Sequence, residues 1–154
     1  MNSLFTVRRA SWERDQLALR GIRETVFMRE QSVPLELEWD GRDARGLHVI
    51  AEDAAGAPIG TGRLLPDGHI GRMAVLQPWR GMGVGSALLA ELVLYASERG
   101  LAEVVLNAQT HALGFYARFG FEAEGEEFLD AGIPHRRMRR ALQPMGQARG
   151  KAET

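Results

Sequence analysis

Apolar positions along the chain fall into short runs and spaced stripes, and the two patterns alternate. Leu4 to Arg9 predicts a short strand. Leu19, Ile22 and Val26 then recur at helical spacing, which predicts a helix from near Trp12 to about Glu30. Ser11 is its N-cap, Gly21 its weak point and Pro34 its limit. Leu35 to Arg45 reads as a loop crowded with Glu36, Glu38, Asp40 and Asp43. Three strand-like runs follow, Leu47 to Glu52, Ile59 to Leu65 and His69 to Leu76. The turn-rich links between them make antiparallel neighbours. Val84 to Arg99 is the strongest helical pattern, with Leu88, Leu92 and Tyr95 on one stripe and Gly100 as its stop. Glu103 to Asn107 predicts a buried strand, Ala112 to Phe119 a second helix stopped by Gly120, and Phe121 to Glu127 and Ile133 to Ala141 two closing strands. This order predicts an α/β (α+β) fold with a mixed, mostly antiparallel sheet of about seven strands flanked by helices.

The junction between the third of those strand runs and the long helix is chemically the most telling stretch. Arg80-Gly81-Met82-Gly83-Val84-Gly85-Ser86 places three glycines at alternate positions where a helix begins. A helix start carries N–H groups without intrahelical partners and the positive end of the dipole, so bare backbone there makes a socket for phosphate or pyrophosphate. A Walker loop would end in Gly-Lys-Ser/Thr, but here Ser86-Ala87 follow Gly85. The dinucleotide fingerprint needs Gly-x-Gly-x-x-Gly after the first strand and an acidic residue ~20 positions on, and this mid-chain loop has the wrong spacing.

Bulk properties narrow the field. A length of 154 residues suits one domain, taken here as residues 1–143 with a flexible tail over 144–154. The net charge of −1 argues against a general nucleic-acid or anionic-membrane binder. There is no cysteine, which excludes a covalent acyl-cysteine and thiolate metal sites. The four histidines have no close ligand spacing, so no metal is expected. The start of the chain lacks a signal-peptide pattern, and a cytoplasmic location is the default expectation.

The loop from Arg80 to Gly85 matches the Arg/Gln-x-x-Gly-x-Gly/Ala signature, and the chain thereby resembles the GNAT superfamily of N-acyltransferases. Asn107 to Phe121, with Phe115-Tyr116 and Gly120-Phe121, resembles the second signature of that family. Val26 to Pro34, Ala108-Gln109, His111-Ala112 and Gly132-Ile133-Pro134-His135 are similar to the small bacterial ElaA-type subgroup. The resemblance covers about Leu4 to Ala141 and implies acetyl-coenzyme A as co-substrate. It implies that Arg80, Gly81, Met82, Gly83, Val84, Gly85 and Ser86 hold the pyrophosphate. Met73, Ala74 and Val75, on a strand expected to bulge and free backbone amides, and Asn107 would hold the pantetheine arm. Tyr116 would protonate the departing thiolate.

The base is left open among Glu30, His111 and His135, because Ile70-Gly71-Arg72-Met73 has no carboxylate where many relatives carry a glutamate. The resemblance implies an N-acetyltransferase acting on a primary amine, either a small molecule or a basic side chain. The acidic residues of the Leu35 to Arg45 loop would favour a cationic acceptor. The missing glutamate keeps a second reading open, an acyl-coenzyme A sensor without turnover. A homodimer also stays open. His135 to Arg140 reads as a strand whose arginines divide between two faces, not as a nucleic-acid patch.

Overall fold

The computed structural model describes residues 4–34 and 39–142, and the chain divides into two units after Leu92. In the first unit β1 (Phe5–Ala10), β2 (Leu47–Asp53), β3 (Pro58–Leu64) and β4 (Ile70–Val75) form one sheet in sequence order. Each neighbouring pair is antiparallel, as the short links require. Between β2 and β3, Asp53 Oδ1 accepts the N–H groups of Ala55 and Ala57, both at 2.9 Å. Helix α1 spans Trp12–Arg23 and helix α2 spans Val84–Glu98. Glycine on β3 lets α2 approach closely: a Cβ on Gly60 would lie 3.0 Å from Leu88 Cδ1, and one on Gly62 would lie 2.8 Å from Leu92 Cδ1. Leu88, Leu89 and Leu92 are fully buried there, each worth ~1.5–3 kcal/mol of transfer free energy.

Two details of α1 differ from the sequence expectation. Ser11 is the N-cap, but its hydroxyl makes no capping bond; instead its N–H donates to Asp15 Oδ2 at 2.9 Å. The helix does not weaken at Gly21. It continues past Arg23 as a π-helical turn over Glu24–Glu30, which ends at left-handed Ser32 (φ 59°) with Val33 N–H donating to Phe27 O at 2.8 Å. The turn keeps Ile22 and Val26 in one buried cluster with Ala74 of β4, against Phe27 and Leu76. That packing holds the helical segment together where intrinsic propensity alone predicts a break.

Under α1 lies an ion network that the sequence reading missed. Arg23, Asp43 and Arg63 are all buried. Arg23 Nη1 and Arg63 Nη1 both donate to Asp43 Oδ1, at 2.8 and 3.0 Å. Arg63 also makes a bidentate contact with Asp40, at 3.0 and 2.9 Å, and Asp40 Oδ2 accepts Arg72 Nη2 at 3.1 Å. Burial works against the Asp40 charge, but Arg63, the Arg42 amide and Arg72 outweigh it and bring the carboxyl down to about 2. His48 Nε2 donates to the Asp43 carbonyl at 2.9 Å, and its ring stacks on Trp12 at 5.3 Å. The Arg23 guanidinium lies 4.9 Å from the Trp39 ring centroid. Asp43 is therefore buried and neutralised by arginines, and Asp40, although exposed, is paired with Arg63 and Arg72, so neither stands as a free acidic group. Glu36 and Glu38 lie outside the described residues.

In the second unit β5 (Glu103–Gln109), β6 (Glu122–Asp130) and β7 (Ile133–Ala141) pair antiparallel in the order β5-β7-β6. The stop at Gly100 (φ 77°) is a helix C-cap in which Leu101 N–H reaches back to Ala96 O at 3.1 Å. The expected helix from Ala112 to Phe119 is shorter: a 3-10 turn over Thr110–Ala112 leads into α3 (Leu113–Ala117). Val93, Ala96, Val104, Val105, Leu106, Ala108, Phe121 and Met138 are the buried apolar residues of this unit. The arginine run on β7 is spent internally: Arg136 donates to Gly125 O, Arg137 to Glu124, Arg139 to Glu124 and Glu103, and Arg140 to Phe119 O. The tail over 144–154 lies outside the described residues.

Candidate active site

β4 is an edge strand of its sheet, and it carries the expected irregularity. Thr61 pairs with Ala74 and Arg63 with Gly71, so β4 advances three residues while β3 advances two. The extra residue falls at Arg72–Met73, opposite Gly62. Arg72 takes a left-handed φ of 51°, a conformation that costs an L-residue ~1–2 kcal/mol. Met73 turns over the bare backbone of Gly62, where a Cβ would meet its sulfur at 2.8 Å. Leu76 N–H donates to Ile59 O at 2.9 Å, so by antiparallel alternation Val75 points its N–H and C=O away from β3. The Val75 carbonyl accepts Arg80 Nε at 2.9 Å.

Beyond β4 a 3-10 turn over Gln77–Trp79 brings the chain to Gly81 (φ 79°) and Gly83 (φ 88°), both left-handed and both beside open space. Ala87 N–H donates to Gly83 O at 3.1 Å, which makes Gly83 the N-cap of α2. The N–H groups of Gly83, Val84, Gly85 and Ser86 come before that first helical bond, in the geometry of an anion socket. Met82, between the two glycines, is exposed.

Two residues nominated separately from the sequence meet here. Arg80 Nη2 donates to Glu30 Oε1 at 2.6 Å, with both side chains partly exposed. The carboxylate nominated as a base is therefore already engaged with the guanidinium nominated for the pyrophosphate.

The remaining nominees lie in the second unit. Asn107 is exposed on β5, itself an edge strand, between buried Leu106 and Ala108. His111 is exposed in the 3-10 turn before α3. Tyr116, on α3, sits edge-on to Phe115 at 5.0 Å and to Phe121 at 6.0 Å, and burial pushes its phenol up to about 12. His135 is buried, stacked on Phe128, with Nδ1 donating to Ile133 O at 2.6 Å, an arrangement that suits a structural ring. Among the described residues no group of three His, Cys, Asp or Glu side chains gathers as a metal site would require.

The sequence reading gave Arg23, Asp40, Asp43 and Arg63 no part in shaping β4. A signal was present: Arg23 stands on the apolar stripe of Leu19, Ile22 and Val26, and Arg63 stands inside the apolar run of Ile59 to Leu65. A charge at a core position implies a buried partner.

The family model of the acetyltransferase (GNAT) domain matches residues 15–142. The chain belongs to the GNAT family. Family members use acyl-coenzyme A, and acyl transfer is the activity the family supports. Among relatives of this GNAT chain, the N-acetyltransferase YjcF of Bacillus subtilis, itself described as uncharacterized, is 40% identical over 121 residues, covering 76% of this chain and 86% of YjcF. An acyl-CoA N-acyltransferase from Pseudomonas aeruginosa superposes with a TM-score of 0.79 at 32% identity, over 89% of this chain and 99% of that one. Escherichia coli ElaA gives the same TM-score and coverage at 27% identity. The GNAT fold and its seven strands flanked by helices are as expected from the sequence; in place of the single mixed sheet, the strands form antiparallel sheets of four and three.

Proposed function

We propose that this GNAT domain is an N-acetyltransferase that moves the acetyl group of acetyl-coenzyme A directly to a primary amine. The observation that carries the reading is the pair of left-handed glycines, Gly81 and Gly83, which join an edge strand to the open amides of α2. In this reading those amides and Arg80 take the pyrophosphate. The outward edge of β4, from Met73 to Val75, takes the pantetheine as an added strand, and exposed Asn107 secures its arm. The acceptor is a small-molecule amine or a basic side chain, and a cytoplasmic location goes with it. With Asp40 and Asp43 neutralised, an acidic entrance for that amine rests on Glu36 and Glu38 alone.

The amine nitrogen attacks the thioester carbonyl, the C–S bond breaks, and the products are an amide and the free thiol. One proton leaves the amine and one reaches sulfur. Tyr116, with a phenol at about 12, stays protonated throughout the working range. An ordinary thiol such as cysteine's ionises near ~8.5, so complete transfer from this phenol to a free thiolate runs uphill. Its contribution is a hydrogen bond that strengthens as charge builds on sulfur. Glu30 is engaged with Arg80, so the amine proton passes to solvent, with exposed His111 as the side-chain alternative.

The test is release of free thiol from acetyl-coenzyme A across a panel of amines, together with a thermal melt. Coenzyme at ~100 times its dissociation constant should add about 2.7 kcal/mol of stability, and NAD should add nothing. Tight binding without turnover on any amine would favour the sensor. A melt that acetyl-coenzyme A leaves unmoved would overturn both.

A further inference from the structure

The bulge on β4 is tied to a carboxylate far away in sequence. Arg72, left-handed at φ 51°, reaches Asp40 Oδ2 through Nη2 at 3.1 Å. The same oxygen accepts Arg63 Nη2 at 2.9 Å. Arg63 is buried and paired with Asp43, which is clamped in turn by buried Arg23 of α1. Left-handed backbone at a residue with a side chain persists only where its surroundings over-determine it. Here the surroundings form a chain of alternating charge running from α1, through the 3-10 turn over Asp43–Arg45 and β3, to the bulge.

We propose that Asp40 is a positioning residue for acyl transfer: by joining Arg72 to Arg63 it holds the β4 bulge, and so sets the outward edge of Met73 to Val75. The inference rests on the reading above for its consequence, because only a coenzyme laid along β4 makes that edge functional. Its structural part stands independently. Asp40 is well suited to the task because its carboxylate uses both oxygens on Arg63 and still accepts Arg72. Removing its charge leaves Arg63 paired with Asp43 and the network otherwise intact.

The experiment compares the parent, Asp40→Asn, Arg72→Gly and the double variant, first without coenzyme. Amide hydrogen exchange is followed at Ala74, paired with Thr61, whose N–H faces β3 by the same antiparallel alternation. Asp40→Asn should speed exchange there by ~5–30-fold, the factor that corresponds to releasing the strain of one left-handed residue. Exchange on β1 and β2 should stay at parent values. Glycine adopts a left-handed φ without strain, so Arg72→Gly in the Asp40→Asn background should bring exchange back toward the parent. Next, the KM for acetyl-coenzyme A should rise in Asp40→Asn and recover in the double variant. Should Asp40→Asn fold poorly, Arg72→Ala decides: it loses the contact with Asp40 but keeps the left-handed strain, so exchange should speed as in Asp40→Asn, and parent exchange would overturn the proposal. Uniformly faster exchange across the sheet, with no recovery in the double variant, would make Asp40 an ordinary structural partner and overturn the proposal. Local loosening and recovery without any coenzyme binding in the parent would uphold the tether and overturn the acyl-transfer reading instead.

Discussion

Tyr116 and Glu30 are the two side chains whose roles a motif match leaves least determined. Removing only the hydroxyl in Tyr116→Phe should lower kcat by ~10²-fold or more with little change in coenzyme affinity, because the bond forms to developing charge. The pH profile adds a second check. In the proposed reading the protonated phenol is the donor, and burial pushes it up to about 12, so its contribution is lost only as pH rises through that value. The parent rate should therefore show no fall between pH 7 and 10 that Tyr116→Phe removes. Equal turnover of parent and variant would return Tyr116 to the aromatic cluster with Phe115 and Phe121. For Glu30 the structure suggests the reverse of a base. In the proposed reading its carboxylate competes with the pyrophosphate for Arg80, and an exposed pair of this kind is worth ~0.2–1 kcal/mol. Glu30→Gln should lower the KM for acetyl-coenzyme A by up to ~5-fold at unchanged kcat. A kcat loss of ~10²-fold with KM unchanged would restore Glu30 as the base. The sequence named both residues of the ion pair but not their contact, because 50 positions separate them and no periodicity links them.

Among the elements, glycine shows how local rules can be read and where they stop. The strands, their tight links and the stops at Gly100 and Gly120 were legible because each depends on a few neighbouring residues. The π-helical turn was not. A stripe of Ile22 and Val26 reads the same whether the helix is regular or widened, and only packing against Ala74 shows which. The partition into sheets of four and three strands was also out of reach, since hydrogen-bond partners are set by long-range pairing. Two glycines make the contrast measurable. Gly21 lies in α1 without a left-handed φ, and a Cβ added there would meet nothing within 4 Å, so Gly21→Ala should raise stability by up to ~1 kcal/mol. Gly83 has the same open space but a φ of 88°, so Gly83→Ala should cost ~1–2 kcal/mol and weaken coenzyme binding as well. Chemical denaturation of both variants checks the signs. A neutral Gly83→Ala would mean that the turn before α2 does not need its left-handed geometry.

Over the whole first unit, stability is coupled to pH through groups the sequence reading left in a loop or on a strand. Arg23, Asp43, Arg63, Asp40 and Arg72 come from distant parts of the chain, so no local window could have joined them. Burial pushes His48 below its ordinary value, with the Asp43 carbonyl opposing. Unfolding therefore lets His48 take up a proton that the folded state refuses, and stability falls as pH drops below about 6.5. The carboxyls act lower down. Asp40 is brought from the ordinary 3.8 to about 2, and Asp43 is lowered too, with burial opposing and Arg23 and Arg63 prevailing. A depressed carboxyl contributes stability above its unfolded value and loses it as pH falls toward its folded one. For Asp40 that window runs from 3.8 to about 2. Urea midpoints measured from pH 8 to pH 2 should decline in both ranges. His48→Gln keeps an N–H for the Asp43 carbonyl but does not titrate, so it should flatten the upper decline and leave the lower one. Asp40→Asn should start less stable and lose less below 3.8. If Asp40→Asn kept the full acid decline, the Asp40 carboxyl would titrate alike in the folded and unfolded protein, and the charge chain that ties Arg72 to Arg63 would have to be redrawn around Asp43.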